Sequence, residues 1–415
     1  MELFEIIKKY GIINYNECSQ FVLDEDATAK EFQTEYEHST NQQFIKIYTT
    51  PGKFISIKKM HGVLSNEKDM MDFFLEYIKT YYIDGLLDYE VLLSQAKLFS
   101  ILSYFLKKCH ISTDYLPNYA QLISFLEDLA VETYESQKIC FAIGFDANLP
   151  DSPQSINFLS IQEQKKLRVI SNGIDTLIVC NSKINFISLE RMINSTIDTK
   201  EFYPLSFANV AHWTAQPKRF ALILTRCGEI LIFYAGRLAC MKRRKVWSVI
   251  NLKSLLHFAM KPVKLSIRNA VMQTCMDVSF SRTGACIGIL NENINIDRLN
   301  IVKKEDLLSS SQSSDSIKML RAIVNNKKFH EIDRAIRKEL AAMDGAIIIG
   351  YDGTIYTIGA ILDNRYCKNR GNHGARTIAA QSLAYYGYGF KVSADGNITV
   401  WKKDGKDIKE VFTIM

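Results

Sequence analysis

Between Asp344 and Trp401, glycine falls at each change of pattern, and this punctuation limits the folds open to the chain. Ala346 to Ile349 is a short apolar run that reads as a buried strand. Asp352-Gly353 makes a tight turn into a second strand, Thr354 to Leu362. Ala375 to Tyr386 has helical spacing, and Gly389 to Val392 and Asn397 to Trp401 read as two strands joined at Ala394-Asp395-Gly396. Upstream, Ser266 to Phe280 has apolar residues at helical spacing with Ser266 as its N-cap, and Gly284 to Leu290 is a compact apolar strand. Ser309 to Ser316 is Ser-rich and reads as a loop. Glu331 to Met343 reads as a helix with Ile332, Ile336 and Leu340 on one face. Helices alternating with strands and hairpins predict an α/β (mixed) fold, a mixed sheet flanked by helices.

The remaining chain follows other patterns. At 415 residues the protein is too long for one ordinary core. Residues 68–83, 88–108 and 119–136 have helical periodicity, and Phe54 to Lys58 alternates like a strand after Pro51-Gly52. Two of the seven prolines fall in Asn148-Leu149-Pro150-Asp151-Ser152-Pro153, which marks a boundary. Beyond it strands dominate: Thr176 to Cys180, Phe220 to Thr225, Ile230 to Tyr234, and a further one after Gly236. A helix from Leu252 to Met260 stops before Pro262. The expected domains are a helix-rich 1–150, a strand-rich 151–262, together an α+β N-terminal region, and 263–415.

Composition narrows the functional classes. The hydrophobic fraction of 47% is that of a globular protein. The longest apolar stretch, Leu92 to Leu106, is interrupted by Lys97 and falls short of the about 20 residues a bilayer demands. The N-terminus, with Glu2 and Glu5, does not resemble a secretory signal. Nine cysteines without CxxC spacing argue against a zinc site and a disulfide framework, and a reducing cytoplasm is expected. A net charge of +6 is mild, and the basic run Lys242 to Lys245 reads as a solvated hairpin end, so no nucleic-acid partner is expected. No membrane partner is expected either.

Three motifs in the last third carry chemistry. Asp344-Gly345-Ala346 sits at a helix-to-strand junction, where a glycine lets backbone approach a ligand and a carboxylate can bind a divalent metal or help deprotonate a hydroxyl. Gly371-Asn372-His373-Gly374-Ala375-Arg376-Thr377 leads into a helix, whose N-terminal N–H groups and dipole favour phosphate, with Arg376 adding a matching fork. Ser393-Ala394-Asp395-Gly396 is a hairpin turn that can also face a ligand. Taken singly, each motif is equally a plain turn or cap.

Their order raises the signal. MDGAIIIGYDGTIYTIGAIL, then GARTIAAQSLA, then KVSADGNITVW, preceded by AVMQTCMDVSFSRTGACIGIL, resembles the nucleotide-binding domain of the diadenylate cyclases of the DisA type over about 150 residues. The resemblance implies a domain that holds one ATP and meets a second such domain face to face. Each ATP 3′-hydroxyl then attacks the other α-phosphorus to give cyclic di-AMP and two pyrophosphates, with Mg²⁺ or Mn²⁺ as cofactor. It implies that Asp344 lies near the attacking hydroxyl and the metal, and that Gly345 and Ala346 make backbone contacts. It implies further that Leu362 packs on adenine and that Arg376, with Gly374, Ala375 and Thr377 around it, and Ser393 meet phosphate. Self-association through these domains follows, and residues 1–262 become a sensor-like, regulating region for an unknown ligand or protein.

The chain departs from the family where Arg-His-Arg is expected: here the residues are Arg376-Thr377-Ile378. Arg365, Lys368 and Arg370 in the preceding loop are the cations that could replace the lost charge. Ala394 and Asp395 also stand where an acidic pair often follows the Ser. The alternative to a cyclase is thus a module that binds ATP or a cyclic dinucleotide without turning it over. A further alternative is a scaffold whose C-terminal fold is idle.

Overall fold

The computed structural model describes residues 18–26, 34–39, 42–50, 52–59, 65–81, 89–151, 156–161, 169–192, 201–311, 314–362 and 374–414. The chain is of mixed α/β class and divides into two compact units, Met1–Ile197 with Ser206–Leu252, and Asp198–Leu205 with Lys253–Met415.

The first unit opens with an antiparallel sheet of β1 (Cys18–Asp26), β2 (Thr34–Ser39), β3 (Gln42–Thr50) and β4 (Gly52–Lys59), in the order β1-β4-β3-β2. Helices α1 (Ser65–Tyr81), α2 (Tyr89–Lys108) and α3 (Leu116–Val131) follow. A small hairpin, β5 (Thr133–Tyr134) and β6 (Gln137–Lys138), leads to β7 (Phe141–Asp146). Then come α4 (Phe158–Ile161), β8 (Thr176–Cys180), β9 (Phe186–Arg191) and α5 (Ala208–Thr214). The unit closes with β10 (Arg219–Leu224), β11 (Ile230–Tyr234), β12 (Arg237–Arg243) and β13 (Val246–Val249).

Strands β7 to β13 form one sheet, ordered β13-β12-β11-β10-β7-β8-β9, in which β7 and β8 are parallel. Phe141, Ile143 and Phe145 alternate onto the face covered by the helices, where Phe105, Tyr119 and Phe220 join them in one core. β7 is hydrogen-bonded on both sides to strands that follow residue 150, so the sheet runs across the turn where the sequence suggests a boundary. The basic run is a hairpin end as expected, with Arg244 and Lys245 at positive φ. Half of it points inward instead: Arg243 is buried against Glu229, and Lys242 pairs with Glu127.

The second unit has helices α6 (Leu252–Ala259) and α7 (Leu265–Ser281), strand β14 (Ala285–Leu290), and helices α8 (Asp315–Val324) and α9 (Arg334–Ala342). Strands β15 (Ala346–Ile349) and β16 (Ile355–Ala360) follow, then α10 (Ala375–Ala384), β17 (Gly387–Val392), β18 (Ile398–Asp404) and β19 (Asp407–Ile414). Its sheet order is β16-β15-β14-β17-β18-β19, again with one parallel pair, β14 and β15. On one face Cys286, Leu290, Ala346 and Ile348 pack against Ala380, Leu383 and Ala384 of α10.

Three expectations change here. α7 starts at Leu265 with Lys264 as N-cap, not Ser266, because the Lys264 carbonyl already accepts from Ile267 and Arg268 at 3.1 Å. α9 starts at Arg334, capped by the Asp333 carboxylate, and Ile336 is 44% exposed rather than on the buried face. Arg334 and Arg337 take that face, because Arg334 binds the buried Asp277 carboxylate. Finally β19 adds an edge strand that the charges of Asp407 to Glu410 conceal; its outer residues are exposed, as an edge permits.

The C-terminal unit also reaches back before residue 263. Tyr388 Oη donates to the Ala259 carbonyl at 3.2 Å, and the Leu205 N–H donates to Asp277 at 2.8 Å. α10 is held close to the sheet by Gly389, where a Cβ would lie 1.7 Å from the Ala380 carbonyl oxygen. Neither backbone can yield, so Gly389→Ala should destabilise by about 3 kcal/mol, the upper range for overpacking. Thermal unfolding should show a drop of roughly 6–12 °C; an unchanged midpoint would mean that α10 is not fixed by this contact.

Among the described residues no helix is long and apolar enough to cross a membrane. The described cysteines are free, and most are buried.

Candidate nucleotide pocket

The pocket grows from strand ends. α9 ends at Met343 in extended backbone, and Asp344-Gly345 carries the chain into β15. Gly345 has φ +98°, and a Cβ there would sit 2.3 Å from Gly359 of β16. Only glycine fits this crossing. The close approach that Gly345 makes in the structure is therefore to the neighbouring strand. It turns the chain so that the Asp344 carboxylate is left in the open, 96% exposed.

α10 begins at Gly374, which caps it without a side-chain bond, so its first N–H groups have no capping side chain. Arg376 lies in the first turn. Its guanidinium passes over Gly284 at the head of β14, where a Cβ would meet it at 2.8 Å, and its Nη2 stands 3.7 Å from Asp344 Oδ1. Glycine at 284 thus leaves the arginine room to lie across the end of the sheet.

Between these groups lies a pocket of about 280 Å³ lined by Cys286, Asp344, Gly345, Ala346, Ala360, Ile361, Leu362, Ala375, Arg376 and Ala379. Cys286, Ala346, Ala360 and Leu362 are buried, and Ile361 is an exposed rim residue. The floor is apolar and its side chains are small, while the rim carries one carboxylate and one guanidinium. Such a slot suits a flat heteroaromatic ring with an anionic tail. Burial pushes the Cys286 thiol up to about 12, with Arg376 opposing weakly, so it is a neutral wall and not a nucleophile.

Asp344, Gly345, Ala346, Leu362, Ala375 and Arg376 are thus brought to one pocket. Gly374 and Thr377 flank Arg376 at the helix start without lining it. Ser393 does not line it either: it is turned into its own hairpin, donating to Asp395 and to the Asn397 carbonyl. It stands next to Val392, whose carbonyl oxygen lies beside Gly284, at the end of the sheet that Arg376 covers. Arg365, Lys368, Arg370 and Gly371 to His373 lie outside the described residues. Cys286, Ala360, Ile361 and Ala379 were not legible as lining residues, since small apolar residues within strands and helices carry no chemical mark. Among the described residues no group of three or more His, Cys, Asp or Glu gathers as a ready metal cage.

No family model matches the chain, and no curated protein matches it. Among solved structures it is weakly similar to DacA from Staphylococcus aureus, a diadenylate cyclase, in the crystal structure of a double-cysteine variant. The identity is 21% and the TM-score 0.21, over 34% of this chain and 84% of that one.

Proposed function

We propose that the C-terminal unit binds ATP and, paired with a second copy, condenses two ATP into cyclic di-AMP and pyrophosphate. One observation carries this reading: six of the nine residues that the motifs and the resemblance assign to a nucleotide line the same pocket. Adenine would enter the apolar slot over Leu362 and Ala346. The phosphates would lie toward Arg376 and the start of α10, where N–H groups and guanidinium offset their charge. Asp344, exposed at the rim, would receive the ribose 3′-hydroxyl of the partner's substrate.

A single exposed carboxylate fits Mg²⁺ or Mn²⁺ held jointly with substrate phosphates better than a site built from protein alone. Such an ion, held by Asp344, would neutralise phosphate charge. The chain's own part is to orient the two ends of the nucleotide, with the rigid β15–β16 crossing fixing the carboxylate and α10 fixing the arginine. The first unit would set how often two such pockets meet, in response to a ligand or protein of its own.

Binding without turnover is the second reading. Thr377 and Ile378 occupy the first turn of α10 where a histidine and a second arginine would each add a donor for phosphate. Arg376 is consequential under both readings. Arg376→Ala should weaken ATP binding by roughly 1.5–3 kcal/mol, the scale of a hydrogen bond to a charged group. Calorimetry with the full chain checks this, and unchanged affinity would return Arg376 to the role of an exposed cap residue.

A further inference from the structure

The two units repeat one pattern. In the first, β7 is central, β8 runs parallel beside it, β9 returns outside β8, and β10, β11 and β12 follow antiparallel on the other side. In the second, β14, β15, β16, β17, β18 and β19 take those places in the same order and with the same directions. β13 is an added edge. A helix precedes each central strand, α3 and α7, and another precedes each fourth strand, α5 and α10.

The correspondence holds residue by residue. Gly144 pairs with Val179 on its parallel side, as Gly288 pairs with Ile348. The register of the second and third strands slips at the next step in both, between Val179 and Cys180 and between Ile348 and Ile349; the second unit slips once more, between Ala346 and Ile348. The turns that follow share their bonds: Asn181 N to Asn185 O at 3.0 Å and Ile184 N to Asn181 O at 3.1 Å, against Gly350 N to Thr354 O at 2.8 Å and Gly353 N to Gly350 O at 2.9 Å. Phe158 donates to the Ile184 carbonyl and Phe329 to the Gly353 carbonyl, at 2.9 and 2.8 Å, and both rings are buried. The later hairpins agree again, with Gly228 and Gly396 at positive φ, each donating back to Thr225 or Ser393. A common topology can arise often; a shared bulge and three shared turn contacts at one register cannot be set by topology alone.

Counting back from the paired strands places Asp175 where Asp344 stands, and Leu177 where Ala346 stands. The pocket is treated differently. Leu177 is larger than the alanine of the floor. Trp213 of α5 lays its ring over Gly144, where a Cβ would meet it at 2.7 Å and Leu177 at 2.8 Å, in the place where Leu383, outside the pocket lining, lies over Gly288; the larger indole reaches on to Glu190, which pairs with Leu177 as Ala360 of the pocket pairs with Ala346. The indole is held on two sides, donating to Glu190 Oε2 at 3.1 Å and stacked under Arg219 at 4.7 Å, and is only 9% exposed. Gly173 closes over Ala142, the counterpart of Cys286, so tightly that a Cβ on it would lie 3.0 Å from the Ala142 Cβ, and Ser171 Oγ donates to the Ala142 carbonyl at 2.6 Å.

We propose that the described residues of 116–197 and 206–252 are a second copy of the C-terminal fold, in which Trp213 and Leu177 fill the volume that is open as the nucleotide pocket in the second unit. An indole has the shape and size of a purine, so the first copy carries its own occupant, and each chain offers one nucleotide site. The stoichiometry part rests on the nucleotide reading; the filled pocket does not. In the full chain, calorimetry with ATP and Mn²⁺ should give one site, and Asp175→Asn should bind ATP within twofold of the parent. Two sites per chain, or a tenfold loss in Asp175→Asn, would overturn the proposal. If no ATP binds, the nucleotide reading falls, and the proposal is judged on Trp213→Ala. That variant should unfold several degrees below the parent, and millimolar indole should restore most of the loss while leaving the parent unmoved. Should it not fold, Trp213→Leu leaves a smaller void with benzene as the matching probe. A void that no aromatic probe refills would overturn the filled pocket.

Discussion

Asp277→Leu is expected to destabilise the C-terminal unit by about 3–5 kcal/mol, the scale for removing one partner of a buried ion pair. The side chains of Asp277 on α7 and Arg334 on α9 are 0% and 4% exposed, with Arg334 Nε and Nη2 donating to the two carboxylate oxygens at 2.8 and 2.9 Å. Asp277 also accepts the Leu205 N–H, and Arg334 donates to the Tyr203 carbonyl and stacks on its ring at 4.9 Å. The pair therefore ties two helices and the segment around Tyr203 and Leu205 together. Without the carboxylate a guanidinium stays buried and uncompensated. Thermal unfolding should fall by roughly 6–20 °C. Arg334→Met added to Asp277→Leu should recover most of the loss, because neither charge of the pair is then left without its partner. A double variant as unstable as the single one would show that the hydrogen bonds to residues 203 and 205 matter more than the charge pair.

The second large effect is on chemistry. Asp344→Asn should leave stability within about 0.5 kcal/mol, as expected for an exposed side chain in a long ion pair. It should cut formation of product at least about 100-fold, the lower range for losing a positioned proton acceptor. The separation of the two readouts is informative, since Asp277→Leu moves stability and Asp344→Asn moves turnover. If Asp344→Asn turned over ATP as the parent does, Asp344 would be a solvated turn residue.

Much of the C-terminal sheet was legible because its strands are short apolar runs bounded by glycines whose φ is positive, among them Gly345, Gly353 and Gly396. The pocket was legible where it carries charge or glycine. Elsewhere pattern failed for physical reasons. α9 reads as an amphipathic helix with Ile336 inward, but pairing with Asp277 turns Arg334 and Arg337 to the core instead. β19 was hidden because an edge strand tolerates Lys409 and Glu410. The unit's reach to Tyr203 and Leu205 could not be read, since both are hydrogen-bonded to it through backbone groups. The repeat between the two units is likewise written in register and turn bonds; Gly144 and Gly288 share a place, but the residues around them, Trp213 and Leu383, do not resemble each other.

Conversion of ATP in the pocket around Asp344 and Arg376 is the proposed activity. Its most direct test is to incubate the full chain with ATP and Mn²⁺ and to read the products by mass spectrometry, with Asp344→Asn alongside. Cyclic di-AMP and pyrophosphate are expected from the parent and neither from the variant. ATP bound by the parent but recovered intact, or product formed equally by both proteins, would contradict it.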